Sequence, residues 1–182
     1  DATTTSYSYD VTPGASTEHA LTQVSYSNSS HDDFQYDAEG RLSTFERDLH
    51  AERLSFAYGP AGVVTLTDAI GNSTEFFFDH RDRLTKVQNA LGNTVEFGFD
   101  ALGQLDSIVN PLGWQTTFQY DAHGNLLQLS DSSGYATTYT YGDLDRLASV
   151  TDPNGLTTTY QYDTRGNRTA LIYADGFRRS VV

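Results

Sequence analysis

Along this chain apolar and polar residues alternate in short runs, and each run closes on a bend of Asp or Asn followed by Gly. The clearest run is Gly113 to Tyr120, where alternation puts Thr116, Phe118 and Tyr120 on one face and Thr117 and Gln119 on the other. A period of two over so few residues predicts a half-buried strand rather than a continuous buried run. Aromatic pairs two residues apart recur at Phe34/Tyr36, Phe56/Tyr58, Phe76/Phe78, Phe97/Phe99, Phe118/Tyr120, Tyr139/Tyr141 and Tyr160/Tyr162. Their second members lie 22, 20, 21, 21, 21 and 21 residues apart, which is a tandem repeat.

Two kinds of turn alternate within each repeat. One follows the aromatic pair: YDAEGRL (36–42), FDHRDRL (78–84), FDALGQL (99–105), YDAHGNL (120–126), YGDLDRL (141–147) and YDTRGNR (162–168). The other lies half a period away: DAIG (68–71), NALG (89–92), NPLG (110–113), DSSG (131–134) and DPNG (152–155). In both, Asp or Asn opens the turn by accepting a backbone hydrogen bond from two residues on. Gly then supplies the positive φ of a type I turn with a bulge. The glycines in this role are Gly40, Gly71, Gly92, Gly103, Gly113, Gly124, Gly134, Gly155 and Gly166. Each repeat therefore reads strand, turn, strand, turn.

The returning strand carries two apolar residues three apart: Leu84/Val87, Leu105/Ile108, Leu126/Leu129 and Leu147/Val150. That spacing breaks strict alternation, whereas the shorter repeat at 58–71 has Val64 and Leu66, two apart. We therefore expect a β-bulge in most returning strands and none in the short repeat. A helical reading fails because five residues between turns are too few.

Residues 1–33 read as a degenerate first repeat. Tyr7 and Tyr9 form an aromatic pair followed by Asp10, and Leu21/Val24 precede Leu42/Phe45 by 21 residues. Tyr9 to Leu21 is 12 residues where later repeats have 6, so an insertion sits inside this turn, within Val11–Ala20. Residues 34–182 read as six to seven repeats cut mid-repeat at the C-terminus, as in a piece of a longer protein. The expected fold is all-β: tandem hairpins in one long antiparallel sheet of about sixteen strands, about 75 Å long at the usual strand spacing. Its aromatic face cannot stay wet in a monomer, so the sheet should curl and cover it.

Composition narrows the function. The net charge is −13, and the cations are ten Arg and Lys86 alone, which disfavours a nucleic-acid partner. The acidity reads as solubility or as a face for a basic guest. There is no Cys, and no apolar run spans a membrane.

The tandem YDAxGRL-like motifs with their DxxG half-repeats resemble the Rhs/YD-repeat family of bacterial Rhs polymorphic toxins, Tc toxin B and C components, and teneurins. The resemblance is strong from Phe34 to Gly176. It implies a sheet that spirals into a hollow shell, which in the toxin members holds a C-terminal toxic domain until delivery. It also implies a secreted or cell-surface bacterial protein whose partners are flanking repeats of its parent chain and an encapsulated toxin. DPNGL at 152–156 is similar to the motif at which such shells cleave themselves, but it lies in phase with DSSG and NPLG and reads as an ordinary turn.

Chemistry of its own is not expected. His19, His31, His50, His80 and His123 lie in different repeats without ligand spacing, so neither a metal nor a cofactor is expected. No nucleophile elbow, phosphate loop or dinucleotide fingerprint is present. The expected function is a structural shell segment rather than an enzyme. The alternative is a cell-surface module whose rings stack on carbohydrate or whose face binds a partner protein.

Overall fold

The computed structural model describes residues 4–48 and 52–180, and His50 lies outside them. Seventeen strands and two single-turn 3-10 segments, Pro60–Gly62 and Asp143–Asp145, are all its regular structure. The all-β, antiparallel reading holds.

Two compact units divide at residues 94 and 95. The first contains β1 (Thr5–Tyr9), β2 (Leu21–Tyr26), β3 (His31–Tyr36), β4 (Leu42–Arg47), β5 (Glu52–Tyr58), β6 (Val63–Asp68), β7 (Ser73–Phe78) and β8 (Leu84–Gln88). In the second, β9 (Thr94–Phe99), which starts at the boundary, is followed by β10 (Leu105–Val109), β11 (Gln115–Tyr120), β12 (Leu126–Asp131) and β13 (Ala136–Tyr141). It continues with β14 (Leu147–Thr151), β15 (Thr157–Tyr162), β16 (Arg168–Ile172) and β17 (Arg178–Ser180). Within each unit every strand pairs antiparallel with the next along the chain, giving a meander.

The turns form by the chemistry the sequence offers. At 121–125 the Asp121 carboxylate accepts the amides of His123 at 2.8 Å and Asn125 at 2.9 Å. The Gly124 amide donates to the Asp121 carbonyl at 3.1 Å. Gly124 has φ +89°, where a side chain would be strained. All nine glycines singled out in the sequence take φ between +80° and +89°. In the two turns without Gly at this place, Asp82 and Asp145 take it at φ 57° and 55°, a region Asp tolerates better than most residues.

The bulges fall where the spacing places them. Gln119 faces Gln128 but Tyr120 faces Leu126, so Leu127 is an extra residue in the returning strand. The same shift occurs at β2, β4, β8, β10, β14 and β16. The β5–β6 ladder runs unbroken from Leu54/Asp68 to Tyr58/Val64. Each bulge brings both apolar residues of the returning strand onto the aromatic face, as Leu126 opposite Tyr120 and Leu129 opposite Phe118.

The bulge also shortens the next ladder, and tyrosine repairs it. The β10–β11 register covers Ser107 to Val109 and stops short of Leu105. Across that gap the Tyr120 hydroxyl donates to the Leu105 carbonyl at 2.8 Å. The same bond joins Tyr36 to Leu21 (2.7 Å), Tyr58 to Leu42 (2.9 Å), Tyr141 to Leu126 (3.0 Å) and Tyr162 to Leu147 (2.9 Å). In the bulge-free repeat the β6–β7 ladder reaches Val63, and the aromatic that follows is Phe78, which has no hydroxyl to give. Tyrosine thus marks a gap in the preceding ladder.

Tyr120→Phe and Tyr141→Phe should each cost about 1 kcal/mol, the net worth of one intramolecular hydrogen bond. Phe78→Tyr should give no matching gain, because the Val63 carbonyl already accepts the Gly59 amide at 2.8 Å. Urea denaturation of the three variants checks both statements.

Candidate functional site

The ladders place the repeat aromatics on one face. Phe97 faces Ile108, Phe118 faces Leu129, Tyr139 faces Val150 and Tyr160 faces Leu171. In the first unit Phe34 faces Phe45, their ring centres 5.5 Å apart, and Phe56 faces Leu66. Phe76 faces Val87 and Phe78 faces Leu84. All fourteen rings of the seven pairs, including Tyr36, Tyr58, Phe99, Tyr120, Tyr141 and Tyr162, are half-buried, and none is fully buried.

Among the described residues only Val24 and Ala170 are buried apolar side chains. The accessible surface is 12089 Å² for a 20.1 kDa chain, against about 8,700 Å² expected of a compact monomer that size. The rings shield one another edgewise, and no second layer lies over them among the described residues. This half-exposed apolar face is the candidate functional surface.

The other face is polar. Hydroxyl pairs bridge neighbouring strands at Thr67/Ser73 (3.0 Å), Thr117/Ser130 (2.8 Å), Thr140/Ser149 (2.6 Å) and Thr151/Thr157 (2.8 Å). Phe77 is the ring that falls on this side, and Lys86, opposite it in register, lays its ammonium 3.7 Å from the ring centre. Such a contact shields the ring at little desolvation cost.

One repeat carries an ion pair on the apolar face. Asp32 is buried, accepts from Arg47 at 2.7 Å and from the Tyr26 hydroxyl at 2.9 Å, and is held below the ordinary carboxylate range chiefly by Arg47. Three repeats have Thr116, Thr137 and Thr158 at the corresponding place before their aromatic pair. The charge is therefore local to this repeat.

The turns that follow the aromatic pairs fasten to one another across repeats. Asp145 accepts from His123 Nδ1 at 3.0 Å and from the Asn125 side-chain amide at 2.9 Å, each about one repeat away. Arg41 lies 4.2 Å from the ring centre of Tyr58, and Ser16 donates to the Ala38 carbonyl at 2.9 Å. The ligand atoms of Asp121, His123 and Asp145 lie within 4.8 Å of one another, a grouping that sequence spacing conceals. Their polar atoms are already engaged: Asp121 holds its own turn with both oxygens, and Asp145 holds the turn before it. A cation there would have to displace those bonds, so the arrangement serves as a clasp between turns. His19, His31 and His80 do not join any such grouping among the described residues.

The turn carboxylates are stabilised in their charged form. Asp79 is lowered from 3.8 to about 2, first by the Arg83 side chain that bonds it at 2.7 Å. Asp68, Asp121 and Asp163 are held below the ordinary range chiefly by the side-chain amides of Asn72, Asn125 and Asn167. His123 is raised by its bond to Asp145.

Groups whose folded pKa is depressed contribute stability above their unfolded value and lose it as pH falls through the folded one. The thermal midpoint should therefore fall between pH 3.8 and about 2. Asp79→Asn should fall less over that interval, and calorimetry across it is the check. Phe118→Ala in this chain should cost about 1–2 kcal/mol, roughly half the value for full burial, as read by denaturant titration.

Residues 99–136, 120–154 and 143–178 match the RHS Repeat family in three overlapping stretches. No curated protein gives a significant match. Among solved structures, the Tc holotoxin pore of Photorhabdus luminescens aligns with a TM-score of 0.55 at 17% identity, over 93% of this chain and 9% of that one. The TcdB2-TccC3-Cdc42 crystal structure aligns with a TM-score of 0.49 at 14% identity, over 93% of this chain and 11% of that one. The chain thus spans about a tenth of the length of these structures. The matched stretches begin at Phe99 and include the turn motifs YDAHGNL and YDTRGNR with their half-period partners. By these repeats and this fold, the chain belongs to the Rhs/YD-repeat family.

Proposed function

We propose that this chain is a stretch of wall in an Rhs/YD-type shell that encloses, and helps deliver, a C-terminal toxin domain of the same parent protein. In this reading the parent is a secreted bacterial protein and the chain contributes wall rather than catalysis. The observation that carries it is the two-faced, one-layer ribbon: every repeat presents a half-exposed aromatic face, backed by a lattice of Thr and Ser hydroxyls. An apolar face of that extent calls for cover. In a shell, flanking repeats and an enclosed guest provide it. The fold shared with a holotoxin pore supports the same reading.

Limited proteolysis of the full-length parent tests it. The C-terminal domain should survive protease levels that digest the same domain expressed alone. Equal digestion of the enclosed and free domain would remove encapsulation. Specific carbohydrate retained by the intact parent on a glycan array, with no such protection, would favour the surface-module alternative.

A further inference from the structure

In the second unit the two rims of hairpin turns differ in chemistry. The half-period turns at 110–114, 131–135, 152–156 and 173–177 contain no Arg, Lys or His. They expose Leu112, Trp114, Tyr135, Leu156 and Phe177. The opposite turns, at 121–125, 142–146 and 163–167, carry His123, Arg146 and Arg165. One rim is apolar and acidic, and the other supplies the cations.

Between turns 152–156 and 173–177 the first rim opens into a cleft of about 490 Å³. Val150, Leu156, Thr158 and Tyr173 line it, with Asp152 and Asp175 on its walls. Asp152 spends Oδ1 on the amides of Asn154 and Leu156, both at 2.9 Å, and Asp175 spends Oδ1 on the Phe177 amide at 2.8 Å. Among the described residues neither carboxylate is in an ion pair, and each keeps its second oxygen available. An apolar floor between two carboxylates matches a side chain with a methylene stem and a cationic head.

The chain carries such a group on its opposite rim. Arg165 stands exposed at the tip of turn 163–167 and is in no ion pair among the described residues. Both rims advance by two strands per repeat, roughly 9.6 Å, so two ribbons meeting rim to rim share one spacing. With Arg165 of one copy in the cleft of another and the ribbons parallel, Leu144, 79% exposed at the tip of the preceding turn, falls beside Tyr135 and Leu156. Apolar then meets apolar and cation meets carboxylate along the same line.

We propose that the cleft bounded by Asp152, Leu156, Tyr173 and Asp175 is a docking site for Arg165 of a second copy of this chain. The contact joins different surfaces of the two copies, so it does not close on itself and extends head to tail. It does not depend on the encapsulation reading, since it concerns the rims rather than the aromatic face.

Sedimentation equilibrium in about 0.15 M salt, where repulsion between distant like charges is screened beyond about 8 Å, tests it. The wild-type mass should rise with concentration past the dimer. Arg165→Ser removes the guest and Leu156→Lys fills the cleft with a competing cation. Both positions are exposed, so both variants should fold. Each alone should associate at least about tenfold more weakly, and Asp175→Asn should weaken association in the same direction. Mixing Arg165→Ser with Leu156→Lys pairs one intact cleft with one intact arginine, so association should return and stop at a one-to-one dimer. A wild-type chain monomeric at all concentrations would overturn the proposal. So would single variants that associate like wild type, or a mixture that stays monomeric.

Discussion

The extra residue in each returning strand is the constraint on which this architecture turns. A strand sends alternate side chains to opposite faces, so two apolar residues three apart would straddle the sheet. The bulge at Leu127 absorbs one residue and returns Leu126 and Leu129 to the aromatic side. It also ends the neighbouring ladder early, and the carbonyl left beyond the ladder is the one that Tyr141 reaches at 3.0 Å. Placing apolar residues and satisfying the backbone are thus one problem with one solution, repeated every 21 residues or so. The repeat at 58–71 shows the logic from the other side: with no bulge the ladder is complete, and phenylalanine takes the place of tyrosine.

Much of this was legible in the sequence because it is local. Turn glycines, the Asp or Asn that opens each turn, alternation and the broken alternation of Leu105/Ile108 all act within a few residues of themselves. The period then multiplied a weak signal seven times. What stayed hidden acts between repeats. The bond from Tyr120 to the Leu105 carbonyl spans 15 residues, and that from His123 to Asp145 spans 22. His123 reads as an ordinary turn residue, since its partner belongs to the next repeat. Asp32 and Arg47 were equally concealed, for two charged residues 15 apart do not announce that they face each other across a ladder. The alternation of Tyr and Phe in the second ring of each pair was a usable clue, because a phenol on an apolar face needs an acceptor.

The depth of burial was beyond the sequence for a different reason. A pattern of alternation says which face is apolar, not what lies over it. Here the fourteen rings lie edge to edge and stop at half burial, a state that favours neither solvent nor core. A repeat protein gains most of its stability from contacts between neighbours, and this ribbon makes those contacts along one direction only.

That geometry couples folding to assembly. A ribbon that leaves apolar surface uncovered is stabilised by whatever covers it, in proportion to the affinity of that cover for the folded state. Hydroxyl pairs and turn clasps such as Asp145 with His123 and Asn125 hold the strands in register without the apolar face, so the face remains available for use. The polar lattice and the apolar stripe therefore have separate duties. One keeps the ribbon a ribbon. The other decides what the ribbon closes upon, and because every repeat presents the same stripe, the surface grows with repeat number while its chemistry stays constant.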